Sequence, residues 1–181
     1  MSQLGDALVA AARGAIAVSF GGDAPEPPPE LPELSALGAC FVTLHAGGEL
    51  RGCVGNVQAE GPLWEAVQHN ARAAAFRDPR FTPLMPGELA EVSISVSVLS
   101  PLELVDADSE QALIRALRPP DHGVVLRWQG RSATFLPQMW HQMRDPGEFL
   151  LQLRRKGGMP LDRWPEGLRA YRFTAEEHEE K

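Results

Sequence analysis

A glycine pair at residues 47–48 lies between two segments that both have the composition of β-strands. Residues 39–46 are rich in β-branched and aromatic side chains, and residues 49–54 follow directly after the glycines. Two consecutive glycines are a strong signal for a tight β-hairpin, because both turn positions can then adopt positive φ. We therefore predict two antiparallel strands at this point of the chain.

The chain has only two cysteines, Cys40 and Cys53, so it has no disulfide framework. In the simplest register of the hairpin, Cys40 pairs with Gly55 and Cys53 pairs with Val42. The two thiols would then be diagonal neighbours with Cα atoms roughly 7–8 Å apart, beyond the usual disulfide reach of about 7 Å. We expect two free thiols and a reducing, cytoplasmic compartment.

The other apolar patterns mix helices and hairpins without a regular β-α-β alternation. Residues 91–99 alternate strictly between apolar side chains and serines, which is typical of a strand with one apolar face. This mixture predicts an α+β fold with a mostly antiparallel or mixed sheet flanked by helices. Helices are predicted over residues 3–20, 62–76, 108–117 and 146–156 and from Pro137, and further strands over 123–128, 132–136 and 171–173.

Length and composition predict a single domain over residues 1–175. With 181 residues, 44% of them hydrophobic, the chain can bury a sizeable core. Residues 23–33 are rich in proline, which predicts an extended connector within the domain; the alternative is a ligand for a proline-recognising domain. The acidic residues 176–181 are predicted to form a disordered tail.

The net charge of −7 disfavours non-specific nucleic-acid binding, which needs several Lys or Arg contacts to phosphates. No apolar run approaches the ~18 residues of a membrane-spanning helix, and the amino-terminal residues do not resemble a signal peptide. We therefore expect a cytoplasmic protein for which nucleic acid and membrane are unfavoured partners.

Residues 50–55 carry the clearest candidate chemistry. Arg51 and Cys53 share a face on a regular strand, and nearby positive charge favours the reactive thiolate; the alternative is that Cys53 is a small buried hydrophobe. The planar fork of Arg51 suits a carboxylate or phosphate of a ligand, or an internal partner such as Asp78 or Glu65. The flanking glycines indicate that something approaches the backbone closely.

Two histidines, His45 and His69, could act as a base for Cys53 if the fold brings them close. Residues 78–81 predict the end of a helix with an internal salt bridge. The alternative is a rigid turn that presents its charges to the site around Arg51 and Cys53. His and Cys do not recur at metal-ligand spacing, so we expect no metal ion and no cofactor.

These segments together resemble the AMMECR domain family, whose signature is the Arg-Gly-Cys segment at residues 51–53. The resemblance runs from Gly38 to about Phe173, and Val54 stands where the family more often has isoleucine. It is carried by residues 41–44, 48–55, 62–63, 70–71, 74–81, 83–84, 88–89, 97–99, 123–126, 133–138 and 149–150.

The resemblance implies a two-lobed α+β domain with the signature near a cleft. It also implies partners, since the family is associated in prokaryotes with a Memo-type protein and a radical-SAM protein, in the AmmeMemoRadiSam system. It implies no reaction.

Three functions are therefore considered. The first is an accessory component of such a pathway that binds a small anionic ligand or a partner segment at the signature. The second is an enzyme with Cys53 as nucleophile and His69 as base. The third is an RNA- or DNA-associated regulator. The candidate ligand-binding residues are Arg51, Gly52, Val54, Gly55, His45, Asn70, Asp78 and Arg80.

Overall fold

The computed structural model describes residues 2–180. They form two compact units. The first unit comprises the chain up to residue 99 together with the segment from residue 176, and the second unit comprises residues 100–175. The α+β class is confirmed.

Helices and strands are described by the following bounds. The α-helices are α1 (Gln3–Val18), α2 (Leu63–Phe76), α3 (Glu110–Ala116) and α4 (Pro146–Lys156). The strands are β1 (Ala39–Ala46), β2 (Glu49–Gly55), β3 (Val92–Leu99), β4 (Glu103–Val105), β5 (Gly123–Trp128), β6 (Arg131–Phe135), β7 (Arg169–Phe173) and β8 (Ala175–Glu179).

The first unit is built on a four-stranded sheet in the order β2-β1-β3-β8. β1 pairs antiparallel with both β2 and β3. Helices α1 and α2 cover one face, because the alternate β1 residues Cys40, Val42 and Leu44 are fully buried in one cluster with the apolar side chains of those helices. Phe41, Thr43 and His45 therefore lie on the opposite face of β1.

The predicted hairpin is confirmed, but its predicted register is wrong. Gly52 lies opposite Leu44, whereas Leu50 lies opposite His45, so Arg51 is an additional residue in β2. Such a β-bulge shifts every later pair by one residue and re-aims the side chains around it.

The prediction of two free cysteines is confirmed, although its geometric reason was wrong. The bulge places Cys53 opposite Thr43. Cys40 is three residues from Thr43 on β1 and so faces the helices, where burial raises the pKa of its thiol to about 11. The two thiols therefore lie on opposite faces of the sheet.

The second unit contains the sheet β4-β7-β5-β6, with antiparallel pairing throughout. Its core joins β5 and β7 to α3 and α4, and includes Leu126, Phe149, Leu150 and Ala170. The indole of Trp140 stacks on the ring of Phe149 at 3.6 Å. The helix predicted from Pro137 is a 3₁₀ helix, Pro137–Gln142.

The prediction of a disordered tail from Glu176 is wrong, because Ala175–Glu179 forms strand β8 beside β3. His178 is buried, and the carboxylate of Glu180 accepts hydrogen bonds from Arg13 (2.5 and 2.6 Å) and from the backbone N–H of Ile94 (2.9 Å). Acidic composition therefore did not distinguish a disordered tail from a strand that carries a buried histidine.

The proline-rich connector predicted over residues 23–33 has neither helix nor strand from residue 22 to residue 28 and is mostly exposed there. Its end differs from the prediction, because the chain turns at residues 29–30 and Pro32–Ser35 forms a 3₁₀ helix that buries Leu34. Within residues 2–180, no helix is long and apolar enough to cross a membrane.

Candidate functional site

Asp78 organises the free edge of strand β2. Its side chain is only 3% exposed. The carboxylate accepts hydrogen bonds from the backbone N–H of Cys53 (3.0 Å) and from the guanidinium of Arg80 (3.0 Å from Nε and 2.7 Å from Nη2). These bonds, led by those from Arg80, hold the pKa of Asp78 well below its usual range.

The position of Asp78 follows from the local sequence. Helix α2 ends at Phe76, and Pro79 cannot donate a backbone hydrogen bond, so the chain turns away at this point. Arg80 Nη2 also donates to the carbonyl of Cys53 (3.3 Å). Both backbone groups of Cys53 that an edge strand would leave open are thereby satisfied. The predicted internal salt bridge of residues 78–81 is confirmed.

The thiol of Cys53 is half-buried on the face of the sheet that α1 and α2 leave uncovered. Thr43 Oγ1 donates to Cys53 Sγ at 3.4 Å, across the β1–β2 pair. The pKa of Arg80 is raised, chiefly by its hydrogen bond to Asp78 and to a smaller extent by Cys53. Because Arg80 Nη2 lies 3.3 Å from the carbonyl oxygen of Cys53, the guanidinium sits beside this residue. We call the exposed parts of Cys53, Thr43 and Arg80 the Cys53 surface.

Arg51 is engaged inside the molecule. Its Nε and Nη2 donate to the two carboxylate oxygens of Glu88 (3.0 and 3.1 Å), and its Nη1 donates to the carbonyl of Thr82 (2.9 Å). The side chain is only 13% exposed. The internal partner is thus Glu88, and neither Asp78 nor Glu65. All three guanidinium nitrogens of Arg51 are occupied.

Close internal packing explains the glycines at positions 52 and 55. A Cβ atom on Gly52 would lie closer than 3.0 Å to the carbonyl oxygen of Ala74, so helix α2 approaches β2 at its backbone. A Cβ on Gly55 would meet the ring of Phe41 equally closely. The predicted close approach exists, and protein atoms make it.

The remaining sequence-based candidates divide between the core and the surface. Asn70 is buried and donates to the carbonyl of Cys40 (3.0 Å) and to Asn56 Oδ1 (2.8 Å), and Val54 packs against the core. His45 is half-buried on the same face as Thr43, and His69 is exposed on α2. In the part of the chain that the structure describes, no hydrogen bond joins either imidazole to Cys53.

The described residues contain no group of three or more His, Cys, Asp and Glu side chains placed to hold a metal ion. The Cys53 surface offers one thiol, one hydroxyl and one guanidinium fixed by a carboxylate. Such an arrangement can bind an anion.

Sequence reasoning missed Thr43 and Glu88. Thr43 could have been identified only with the correct hairpin register, and the bulge that sets this register leaves no local sequence signal. Glu88 lies 37 residues after Arg51, in a segment without helix or strand periodicity, and only the fold brings the two together.

The two antiparallel sheets and the helices packed on them define an α+β protein. A comparison with family models matches AMMECR1 over residues 9–178. The chain belongs to the AMMECR1 family.

Similar proteins occur in archaea. Protein MK0488 of Methanopyrus kandleri is 35% identical over 188 residues, covering 98% of this chain and 88% of that protein. Protein MJ0810 of Methanocaldococcus jannaschii is 35% identical over 149 residues, covering 78% of this chain and 72% of that protein. The crystal structure of the uncharacterized protein PH0010 from Pyrococcus horikoshii matches with a TM-score of 0.90 and 34% identity, over 100% of this chain and 93% of that one. These names assign no activity.

Proposed function

We propose that this chain is an accessory binding protein of a cytoplasmic pathway, which works with a Memo-like protein and a radical-SAM protein. In this proposal the Cys53 surface receives an anionic group, carried by a small ligand or by a segment of a partner. The choice of partners rests on the family resemblance, and the choice of surface rests on the geometry of Arg80.

The proposal depends on one observation, the way in which the guanidinium of Arg80 is held. Asp78 holds the guanidinium through Nε and Nη2, whereas Nη1 makes no hydrogen bond within residues 2–180. The side chain is 54% exposed. A fixed guanidinium with free donors is suited to a carboxylate or a phosphate, because little side-chain entropy remains to be lost on binding. By contrast, each of the three guanidinium nitrogens of Arg51 donates to a group inside the protein, either Glu88 or Thr82.

A binding role is favoured over catalysis by the surroundings of the thiol. Nucleophilic cysteines need a base or another means of activation placed next to the sulfur. Here the side-chain hydrogen-bond partner of Cys53 is the hydroxyl of Thr43, which donates to the sulfur. A guanidinium that donates to the carbonyl of Cys53 places one positive charge at this residue, and this observation keeps the cysteine-dependent enzyme as the second candidate.

Co-purification of the full chain with Memo-like and radical-SAM proteins from the same organism tests the proposal. Mass spectrometry then identifies any retained small molecule. Arg80→Gln should reduce recovery of the partners or the molecule about tenfold, the effect of losing one charge-assisted contact. Arg144→Gln is the matched control, since Arg144 is also paired with a carboxylate but is 87% exposed in the second unit.

Equal recovery with wild type and Arg80→Gln would refute the assignment of the surface. Arg80→Lys keeps the charge and covers the case in which Arg80→Gln fails to fold.

The enzyme candidate is tested separately by the intact mass of the protein after incubation with cell extract. A covalent adduct that Cys53→Ser abolishes would favour the enzyme, and its absence would favour binding.

A further inference from the structure

The two units differ strongly in charge. The first unit has 6 Lys and Arg against 15 Asp and Glu, a formal charge of −9, whereas the second unit has 11 against 9, a formal charge of +2. The overall charge of −7 therefore conceals a basic unit. Four arginines of this unit pair with carboxylates within residues 2–180, among them Arg172 with Glu103 (2.9 Å) and Arg154 with Glu110 (2.7 Å).

Two arginines of the second sheet are arranged differently. Arg127 on β5 lies directly opposite Arg169 on β7, and the next pair on the same face is Val125 and Tyr171. Their neighbours Leu126 and Ala170 point into the core that contains α3 and α4. Arg127, Arg169 and Tyr171 therefore share the other face of the sheet.

Like charges directly opposite each other in a sheet are destabilising. No ion pair or hydrogen bond within residues 2–180 joins Arg127 or Arg169 to a carboxylate. Asp106 lies one residue after Val105, the β4 residue that pairs with Ala170. It also forms no ion pair with Arg169. The guanidinium of Arg127 instead lies 5.0 Å above the ring of Tyr171. Two arginines without a carboxylate partner in residues 2–180 thus occupy one directly opposed pair of the sheet.

We propose that Arg127 and Arg169 form a binding site for a phosphate monoester that carries an apolar or aromatic group. A phosphate dianion compensates two guanidinium charges and accepts hydrogen bonds from both forks. Leu104, opposite Tyr171 on β4 and 65% exposed, provides apolar surface for the rest of the ligand. Ser132, exposed and opposite Arg127 on β6, offers a further hydroxyl. This site is independent of the Cys53 surface.

The single tyrosine of the chain provides a specific probe. The full chain is labelled with 3-fluorotyrosine, and its one ¹⁹F resonance, from Tyr171, is followed during titration with phenyl phosphate. We expect a saturable shift at concentrations up to about 10 mM, and binding at least tenfold tighter than that of benzoate, which carries a single charge. Absence of a saturable shift, or equal affinity for benzoate, would overturn the proposal.

Arg127→Gln and Arg169→Gln should each weaken the binding of phenyl phosphate about tenfold, because each removes a charge-assisted contact. Arg163→Gln is the matched control, since Arg163 is a 73% exposed arginine of the same unit. Arg127→Lys and Arg169→Lys, which keep the charge and lose the fork, replace any glutamine variant that does not fold. Equal binding by all variants would overturn the site.

A shift of the Tyr171 resonance produced by a single-stranded oligonucleotide but not by phenyl phosphate would overturn the small-ligand proposal in favour of nucleic acid.

Discussion

At the scale of single residues, Asp78 determines the geometry around Cys53. One carboxylate fixes both the backbone of β2 and the side chain of Arg80. The residue types of this cluster were evident from the sequence, since residues 78–81 predict a helix stop with an internal salt bridge. Their connection to Cys53 was not evident, because it depends on α2 returning the chain to the edge of β2.

Asp78→Asn tests this arrangement. We expect a loss of about 2 kcal/mol in the free energy of unfolding at pH 7, because the charged acceptor is lost but water already screens the exposed side of Arg80. Chemical denaturation measures the difference, and Glu148→Gln at the exposed Arg144 pair is the control that should change little.

The same substitution has a defined pH dependence. The native pKa of Asp78 is lowered, so its stabilising contribution is complete above the unfolded value of about 3.9 and is lost as the pH falls from there towards the native pKa. Wild type and Asp78→Asn should therefore converge in stability below about pH 4. A constant difference between them down to pH 2 would contradict the assigned role of the charge.

Arg51 is expected to act through Glu88 rather than through a ligand. A double-mutant cycle with Arg51→Gln and Glu88→Gln should give a coupling free energy of about 0.5–1 kcal/mol, because Glu88 is partly exposed. Additive effects of the two substitutions on unfolding would show that the pair is not coupled and would return Arg51 to the candidate ligand-binding residues.

At the scale of secondary-structure elements, the close contact between β2 and α2 explains the central glycine of the signature. Gly52→Ala should destabilise the fold by about 1–3 kcal/mol, because the added methyl group overlaps the carbonyl of Ala74. Gly87→Ala is the control, since Gly87 has open space around it and no positive φ. Thermal unfolding of both variants measures the difference, and equal stability would exclude the packing explanation.

Strand β8 provides a second test at this scale. Glu180→Gln should weaken the attachment of β8, because Arg13 and the N–H of Ile94 then share a neutral acceptor. We expect a loss of about 1 kcal/mol in stability and faster amide exchange at Ile94. Unchanged exchange at Ile94 would mean that this contact contributes nothing in solution.

Elements with strong periodicity could be predicted from the sequence, including the β1–β2 hairpin, β3 and the four α-helices. Two short strands were missed, β4 and β8, since they lack apolar alternation and form through pairing with strands that are distant in the sequence. The bulge at Arg51 was missed for a related reason: it is determined by how β2 fits against both β1 and α2.

At the scale of the whole molecule, the net charge conceals an uneven distribution of charge between the two units. The value of −7 argued against non-specific nucleic-acid binding, although the acidity lies in the first unit and the second unit is basic. Only the division of the chain into units reveals this asymmetry. The Arg127–Arg169 pair likewise depends on the register between two strands more than 40 residues apart.

The central claim is that the Cys53 surface receives a partner or ligand while Cys40 belongs to the core. Alkylation by iodoacetamide, resolved by peptide mass spectrometry, tests it directly in the presence and absence of the Memo-like and radical-SAM proteins. With the partners at ten times their Kd, modification of Cys53 should slow about tenfold, while Cys40 should stay unreactive until the protein is denatured. Equal rates of Cys53 modification with and without the partners would contradict the account.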